Sequence, residues 1–359
     1  RCRGSSPVKI AQIAPLVESV PPRFYGGTER VVSWLTEELV ALGHDVTLFA
    51  SGDSRTQAEL CPIVRRSLRL DGIHNSLPYN FIMLDRVAER AAEFDVLHFH
   101  IDFFHYPIFR NMAYKTLTTL HGRQDLPEMP DIYRAFPYMP LVSISQHQRK
   151  PVPPVNWMGT VHHGLPETQY REGEGMGGYL AFLGRICPEK GPESAIAIAG
   201  KASMRLKIAA KVDPVDEPYF ERVIRPLLAK SPHVEFIGEI DDTQKQAFLG
   251  NARALLFPIA WPEPFGLVTI EAMACGTPVI AYSSGSVPEL LEDGLTGFIV
   301  ENEADAVNAV PQLDRLFRPS IRARFEERFS ARAMAQEYCA IYRRLIRQQG
   351  EENQAVQAA

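Results

Sequence analysis

Short apolar runs separated by longer, mostly polar stretches recur along the first half of the chain. We predict strands over residues 9–15, 45–50, 95–100, 115–121 and 140–145. A helix is predicted from Thr28, with apolar residues at intervals of three and four: Val31, Val32, Leu35, Leu39 and Leu42. Gly43 follows at the position of a left-handed C-cap. Strands that alternate with helices are typical of a parallel sheet covered by helices on both faces.

A second series of the same kind follows the glycine-rich residues 172–178, which we interpret as a flexible linker. Its predicted strands are 179–185, 205–210, 234–238, 254–258, 278–282 and 297–300. Its predicted helices are 192–200, 217–229, 243–250, 267–274 and 287–292. A last amphipathic helix is expected from Ala331 to about Gln348, and the polar residues after it are expected to fray. Two doubly wound sheets are therefore predicted, with the ligand in a cleft beyond the carboxyl ends of the strands.

Composition and charge narrow the class of protein. The 359 residues, 45% hydrophobic and 23% charged, suit two soluble domains, and no window approaches the ~18 apolar residues that span a bilayer. A net charge of -5 gives no support for a nucleic-acid partner. The five scattered cysteines lack a CxxC spacing, so we expect reduced thiols without a disulfide framework or zinc site. The opening RCRGSSP is too short and polar for a signal peptide, and we expect it to be a trimmed end.

Several familiar catalytic motifs do not occur in the sequence. It contains no GxxxxGK[ST] phosphate loop, no HExxH and no GxSxG elbow. Histidines at scattered loop ends are more often structural than catalytic, and we interpret five of them in that way: His98, His100, His105, His162 and His163. His121 differs because it closes the strand in "TTLHG", where a side chain projects into the predicted cleft. We therefore favour a functional role for His121.

Two cations follow the first strand of the second series, in "FLGRICPEKG". A turn with Pro188 separates Arg185 from Lys190, so both can converge just past the carboxyl end of the strand. A planar guanidinium and a compact ammonium together suit a diphosphate. A solvated turn with two surface cations is the alternative, and the residues alone leave both interpretations open.

The stretch "WPEPFGLVTIEAMACGTPVIA" carries two glutamates inside an apolar run. Pro262 and Pro264 keep the chain extended, and Gly266 lets it turn into a helix near Leu267 whose free amides suit a phosphate. Glu263 precedes that helix and Glu271 lies about one turn inside it, so we expect each to accept hydrogen bonds from sugar hydroxyls. Because a buried carboxylate is costly without partners, Glu271 implies a ligand or a fixed polar network.

Glycines precede two other predicted helices. Gly26 and Gly27, in "PPRFYGGTER", would allow close approach of the backbone to an anion, although the segment can also be a simple loop. Gly285 and Ser286, in "SSGSVPEL", are expected to point amides toward the cleft.

These motifs together resemble the family 4 retaining glycosyltransferases of the GT-B fold, over nearly the whole chain. The resemblance is carried by "GGTER", "FLGRICPEKG" and "PEPFGLVTIEAMACGTPVIA", with the E-x7-E spacing, and by the continuation "SSGSVPELLEDGLTGFIV". It implies an α/β protein with two Rossmann-like, doubly wound domains that face a central cleft. The expected domains are an acceptor-side domain at 1–168 and a nucleotide-sugar domain at 169–331, with a C-terminal helix at 332–359 packing back on the first.

The resemblance also implies roles for individual residues. Arg185, Lys190, Gly26 and Gly27 would lie at the donor diphosphate, and Glu271 would bind the ribose. Glu263 would contact the transferred sugar, as would His121 near the reacting carbon. The remaining donor contacts implied by the resemblance are Gly238 and Ile240 at the base and Phe265, Gly266, Leu267 and Val268 at sugar and phosphate. The catalytic set is therefore His121, Glu263, Arg185 and Lys190. The chain departs from the family at "IAAKVDP", where a glycine-rich turn is usual, so Ala210 and Lys211 are expected to alter the donor pocket.

The implied activity is transfer of a hexose from a nucleoside diphosphate sugar to a hydroxyl acceptor, with retention and without a metal or other cofactor. The acceptor would be a sugar, a lipid-linked sugar or a small molecule. We expect a cytoplasmic protein whose contact with the inner face of a membrane is at most peripheral. An epimerase or phosphorylase of the same fold, or a nucleotide-sugar-binding regulator without catalysis, are the alternatives.

Overall fold

The computed structural model describes the backbone of residues 7–23 and 26–358, and the side chains of these ranges as far as residue 350. The chain forms two compact units: unit 1 consists of Arg1–Gly164 and Ala331–Ala359, and unit 2 of Leu165–Ser330. Two features interpreted from the sequence fall partly outside the described residues. They are the opening RCRGSSP and the loop "PPRFYGG", of which residues 24 and 25 are not described.

Unit 1 contains a seven-stranded parallel sheet. Its strands are β1 Lys9–Ile13, β2 Asp45–Ser51, β3 Glu59–Val64, β4 Val96–Phe99, β5 Thr116–Thr119, β6 Leu141–Ser143 and β7 Trp157–Thr160. Their order is β3-β2-β1-β4-β5-β6-β7. The helices in this part of the chain are α1 Gly27–Ala41, α2 Leu77–Arg90, α3 Tyr106–Phe109 and α4 Met129–Ala135. After α1, Gly43 has the predicted left-handed conformation, with φ 92°.

Two strands of unit 1 were not expected from the sequence, β3 and β7. Both are edge strands, paired on one side only. In β3 the side chains are half-buried or exposed and Pro62 interrupts the apolar pattern; β7 has only four residues. An edge strand that buries little apolar surface leaves a weak hydrophobic pattern in the sequence.

Unit 2 contains a six-stranded parallel sheet. Its strands are β8 Tyr179–Arg185, β9 Arg205–Lys211, β10 Val234–Gly238, β11 Ala254–Phe257, β12 Val279–Tyr282 and β13 Gly297–Val300. Their order is β10-β9-β8-β11-β12-β13. The helices are α5 Pro192–Lys201, α6 Glu217–Tyr219, α7 Arg225–Lys230, α8 Asp242–Gly250, α9 Leu267–Ala274, α10 Val287–Leu290, α11 Glu303–Ala309 and α12 Arg318–Phe329. All six predicted strands of this unit are present.

One predicted helix of unit 2, over 217–229, is interrupted. Residues Phe220–Ile224 form a π-helical turn between α6 and α7. Pro226 lies in the first turn of α7. Because proline has no amide hydrogen, it cannot continue the hydrogen-bond pattern of a preceding regular helix.

The interpretation of residues 172–178 as a flexible linker is wrong. The amides of Gly173, Gly175 and Gly177 donate to carbonyls of unit 2 at 3.0, 2.9 and 2.8 Å. A Cβ at Gly173 would lie 2.3 Å from the Cα of Gly250. These glycines therefore allow close backbone packing within unit 2, and the chain passes between the units at Gly164 and Leu165.

The last helix, α13, runs from Ala331 to Ala358 and belongs to unit 1. The prediction that it ends near Gln348 is wrong, since the backbone continues as a helix through the expected frayed end. Glu, Gln and Ala dominate that end and have high helix propensity. Earlier in the helix, Tyr338 and Tyr342 are buried, with 1% and 0% of their surface exposed.

Candidate functional site

Glu271 is buried in α9, with 2% of its surface exposed. Its Oε1 accepts a hydrogen bond from Lys245 Nζ at 2.8 Å and lies 3.5 Å from the Tyr170 hydroxyl. Asp242, one turn before Lys245 on α8, lies 3.4 Å from the same ammonium. The carboxylate therefore has the fixed polar network that its apolar neighbours require. No local sequence pattern pointed to Lys245, because it lies on a different helix from Glu271.

Glu263 forms an ion pair with Lys190, the second cation of "FLGRICPEKG". Lys190 Nζ donates to Glu263 Oε2 at 2.5 Å, and the ammonium lies 5.6 Å from the centre of the Trp261 ring. The side chains are 23% and 12% exposed, so the pair is shielded on most sides but reachable from solvent. A hydrogen bond from the Ala260 amide to the Glu189 carbonyl, at 2.9 Å, joins the two loops. The motifs "PEKG" and "WPEPFG" thus form one site.

The "SSGS" stretch packs against the loop that carries Glu263. The Ser286 amide donates to the Glu263 carbonyl at 3.0 Å, and its hydroxyl donates to the Phe265 carbonyl at 2.6 Å. A Cβ at Gly285 would lie 2.4 Å from the Glu263 carbonyl oxygen. The expectation that Ser286 points its amide toward the cleft is therefore wrong, because that amide is bonded to the Glu263 carbonyl and holds this loop in place.

Helix α9 begins directly after this loop. Gly266 has φ 87°, and a Cβ there would lie 2.9 Å from the Phe257 ring. No side chain caps the N-terminus of the helix among the described residues. Phe265 is buried, with 3% of its surface exposed, whereas Leu267 and Val268 are half-buried. The first turn of α9 can therefore offer backbone amides and a partial positive charge to an anion.

Arg185 lies at the carboxyl end of β8, where it pairs in register with Lys211 at the end of β9. Its guanidinium lies 3.4 Å from Asp216 and 3.7 Å from Asp213. Lys211 lies 2.8 Å from the same Asp213. Arg185 and Lys190, which were expected to converge, thus have separate carboxylate partners, Asp213 and Asp216 for the first and Glu263 for the second.

Gly238 and Ile240 connect β10 to α8. Gly238 has a left-handed backbone with φ 76°, and the strand register shifts between Phe236 and Gly238. Asp241 then caps α8 with a reciprocal capping box. This turn therefore leads directly into the helix that carries Lys245.

In unit 1, His121 follows β5 and is half-buried. Its Nε2 lies 2.8 Å from Nδ1 of His100, and its ring stacks on His163 with centroids 5.2 Å apart. Burial lowers the pKa of His121 to about 3. The imidazole is therefore neutral near pH 7, a state in which one nitrogen can accept a hydrogen bond.

His98 and His100, interpreted from the sequence as isolated structural residues, join His121 in one buried group. The alternation of "HFH" at the end of β4 puts both on one side of the chain, which is a signal that the sequence analysis did not use. Burial is the main cause that lowers the pKa of both imidazoles well below the ordinary range.

Gly26 and Gly27 lie at the start of α1. Gly26 precedes the helix, and a Cβ there would lie 2.8 Å from Pro22 and 3.1 Å from Oε2 of Glu29. Glu29 is buried, and this burial raises the pKa of its carboxyl. The close packing of Gly26 against Pro22 is thus sufficient to account for a glycine at this position, and no ligand is needed to explain it.

Two kinds of feature are absent from the described part of the chain. Within it, no group of three or more His, Cys, Asp or Glu side chains is arranged to hold a metal ion. No helix in the same residues has the length and apolar character needed to cross a membrane.

Two family profiles match most of the chain. The profile described as Glycosyl transferases group 1 matches residues 171–333, and the profile described as Glycosyltransferase Family 4 matches residues 25–165. The chain belongs to the family 4 glycosyltransferases. The resemblance found in the sequence motifs is thereby confirmed.

This glycosyltransferase is also similar in sequence to known proteins. It is 29% identical to the α-maltose-1-phosphate synthase of Mycolicibacterium smegmatis over 185 residues, which cover 46% of this chain and 48% of the relative. The matched stretch thus spans about half the length of that curated relative.

Two solved structures match nearly the whole chain. Sucrose-phosphate synthase from Thermosynechococcus elongatus superposes with a TM-score of 0.73 at 19% identity, over 94% of this chain and 99% of the other. Anabaena Alr3699/HepE, in complex with UDP and glucose, superposes with a TM-score of 0.71 at 16% identity, over 93% of this chain and 98% of the other. At such low identity these likenesses show the fold alone. The expected GT-B fold, with two parallel-sheet α/β domains, is confirmed.

Proposed function

We propose that this glycosyltransferase moves a hexose from a nucleoside diphosphate sugar to a hydroxyl acceptor, with retention at the anomeric carbon. The observation that carries the proposal is the arrangement around α9, an eight-residue helix. A buried carboxylate, Glu271, lies inside the helix, a second, Glu263, precedes it, and an uncapped N-terminus lies between them.

The diphosphate would lie at the start of α9. Departure of the nucleoside diphosphate develops negative charge, which the amides of Leu267 and Val268 and the Lys190 ammonium would stabilise. Arg185 would add a planar donor pair for a phosphate oxygen. To bind a phosphate, Arg185 must give up part of its ion pairing with Asp213 and Asp216. The distances of 3.7 and 3.4 Å are longer than those of well-formed hydrogen bonds, so little is lost.

The two glutamates would bind the two sugars of the donor. Glu271, fixed by Lys245, would accept hydrogen bonds from the ribose hydroxyls. Glu263, fixed by Lys190, would accept from hydroxyls of the transferred hexose. A carboxylate already ordered by a cation loses little further entropy on binding, which is the advantage of a preorganised site. The base would lie against Gly238 and Ile240.

We further propose that unit 2 binds the donor and that unit 1 selects the acceptor. Gly26 and Gly27 in unit 1 would approach the diphosphate, and neutral His121 would hydrogen-bond a hydroxyl of the transferred sugar. The related Alr3699/HepE structure contains UDP and glucose, which makes UDP sugars the first donors to test.

Charge stabilisation by cations and helix amides leads us to propose that the reaction needs no metal. Retention would follow from attack on the same face as the leaving group, with the departing phosphate taking the acceptor proton. The reaction is balanced: the anomeric carbon exchanges its phosphate oxygen for the acceptor oxygen, and the proton leaves with the diphosphate.

The test is incubation of the purified chain with UDP, GDP and ADP forms of glucose and mannose, with nucleotide release measured by coupled assay. We expect slow hydrolysis of at least one donor, release of the α-sugar from an α-linked donor, and an unchanged rate after EDTA treatment. Glu271→Ala should abolish donor binding. An isomerised sugar nucleotide would indicate an epimerase, and binding without any hydrolysis or transfer would indicate a regulator; either result would overturn the proposal.

A further inference from the structure

Three histidines of unit 1, His98, His100 and His121, belong to a hydrogen-bonded chain that connects three strands with α13. Gln12 on β1 and His98 on β4 are fully buried, and His100 beyond β4 is 3% exposed. Tyr342 of α13 reaches both His98, at 2.7 Å, and the Gln12 amide nitrogen, at 3.2 Å. The chain is thus built from residues distant in sequence, and the proposed function uses only its last member, His121.

The direction of each hydrogen bond follows from the Gln12 side chain. Its amide oxygen lies 2.7 Å from Nε2 of His100. A carbonyl oxygen only accepts, so with the Gln12 amide in this orientation the proton of His100 is on Nε2. His100 is neutral because burial holds the pKa of its imidazole well below the ordinary range, and its Nδ1 is therefore an acceptor.

The same reasoning extends one residue further. His100 Nδ1 lies 2.8 Å from Nε2 of His121, so His121 must donate from Nε2. The Nδ1 atom of His121 then carries a lone pair. Among the described residues this buried nitrogen has no hydrogen-bond partner. An unpaired buried acceptor is costly, and a substrate hydroxyl would satisfy it.

The other amide atom of Gln12 is held from the opposite side. Its nitrogen donates to the Tyr342 hydroxyl and also lies 3.4 Å from Nδ1 of His98, so that Nδ1 is an acceptor and the Tyr342 hydroxyl donates to it. His98 then donates from Nε2 to the Thr119 hydroxyl at 2.8 Å, and Thr119 contacts the Tyr338 hydroxyl at 2.8 Å. Turning the Gln12 amide over would exchange donor and acceptor at His100 and at His121.

We propose that Gln12 is a positioning residue that sets the tautomer of His121 through His100, so that His121 Nδ1 is presented as an acceptor to a hydroxyl of the sugar substrate. The inference rests on the proposed function for its substrate, whereas the tautomer itself does not depend on activity. Tyr342 supports this arrangement by holding the amide nitrogen of Gln12, so α13 contributes to the same site.

The first test is made on the free wild-type protein. Long-range ¹H–¹⁵N NMR with ¹⁵N-labelled histidine distinguishes the two neutral tautomers, and the His121 signals are identified by their loss in His121→Asn. We expect protonation at Nε2 of both His100 and His121 near pH 7. Protonation at Nδ1 of His121 would overturn the proposal whether or not the enzyme is active.

The second test uses variants. Gln12→Met removes the amide, and Tyr342→Phe removes only the hydroxyl that holds it. In each we expect mixed tautomers at His121 and a kcat for donor hydrolysis roughly tenfold lower, with the Kd for the free nucleotide unchanged. Gln57→Met, at an exposed side chain, is the matched control. It should change neither the tautomer of His121 nor the kcat for donor hydrolysis.

Unchanged tautomers in both folded variants would refute a role for Gln12. A wild-type protein that shows the expected tautomers but releases no nucleotide from any donor would instead refute the proposed function and leave the tautomer assignment standing. The two failures are therefore distinguishable.

Discussion

Lys245 Nζ lies 2.8 Å from Oε1 of Glu271, and the Glu271 side chain is only 3% exposed. The two residues come from different helices, α8 and α9, and the ammonium is itself 16% exposed. At this degree of burial each charge needs the other, because a buried ion left without its partner is costly. Donor binding and the stability of unit 2 should therefore depend on the same contact.

Lys245→Met should destabilise unit 2 by about 3 kcal/mol, because it leaves a buried carboxylate without its cation. Urea denaturation measures this change. The double variant Lys245→Met/Glu271→Gln should recover most of the stability without recovering nucleotide binding. Lys230→Met, at an exposed position on α7, is the control and should have little effect. Equal stability of Lys245→Met and wild type would show that the contact contributes nothing.

Lys190→Met should lower kcat for donor hydrolysis by roughly 10²-fold, because one preorganised charge at the leaving group is lost. Lys190→Arg should recover only part of the rate, since a planar fork cannot replace a point charge 2.5 Å from Glu263. Lys201→Met serves as control because Lys201 forms an exposed pair with Glu303. A normal kcat in folded Lys190→Met would remove Lys190 from the catalytic set.

Gly266→Ala should destabilise the protein by about 1–2 kcal/mol, since alanine is strained at φ 87° and its Cβ would meet the Phe257 ring. The strain should also shift the first turn of α9 and weaken nucleotide binding. Calorimetry and a nucleotide titration measure the two effects. In Gly350→Ala an added Cβ meets nothing within 4 Å, and no loss of stability is expected. A neutral Gly266→Ala would show that the turn does not require glycine.

The free energy of unfolding should fall as the pH is lowered below about 6.5. In this range histidines of the unfolded chain bind protons, whereas the buried histidines of the folded protein stay neutral. In the folded protein burial lowers the pKa of His121 to about 3 and puts those of His98, His100 and His163 well below 6.5. The depressed values mean that their contribution is present above pH 6.5 and is lost as the pH falls toward 3.

Each such histidine contributes a slope of about 1.4 kcal/mol per pH unit within that window. Three carboxyls oppose the trend because desolvation raises their pKa values: Glu29, Asp102 and Glu337. Urea denaturation between pH 7.5 and 5 measures the net slope. Stability that is constant or rises toward pH 5 would contradict the neutral state of these histidines.

The sequence by itself was sufficient for all six strands of the unit 2 sheet, for five of the seven strands of the unit 1 sheet and for the start of α9. Buried strands such as β8 and β12 are continuous apolar runs, and the Pro262, Pro264 and Gly266 pattern is local, so each leaves a direct signal in the chain. The need of Glu271 for a partner was also evident, because its immediate neighbours are apolar.

Only the tertiary structure decided which residues meet. Lys245 finds Glu271 across 26 positions, and Gln12 meets His100 across 88. Such contacts depend on strand order and helix packing, which a pattern of polar and apolar positions does not specify. For the same reason the glycines of 172–178 were misinterpreted as flexible. The freedom of glycine is a local property, whereas the backbone that packs against Gly173 lies at Gly250 and is brought there by the fold.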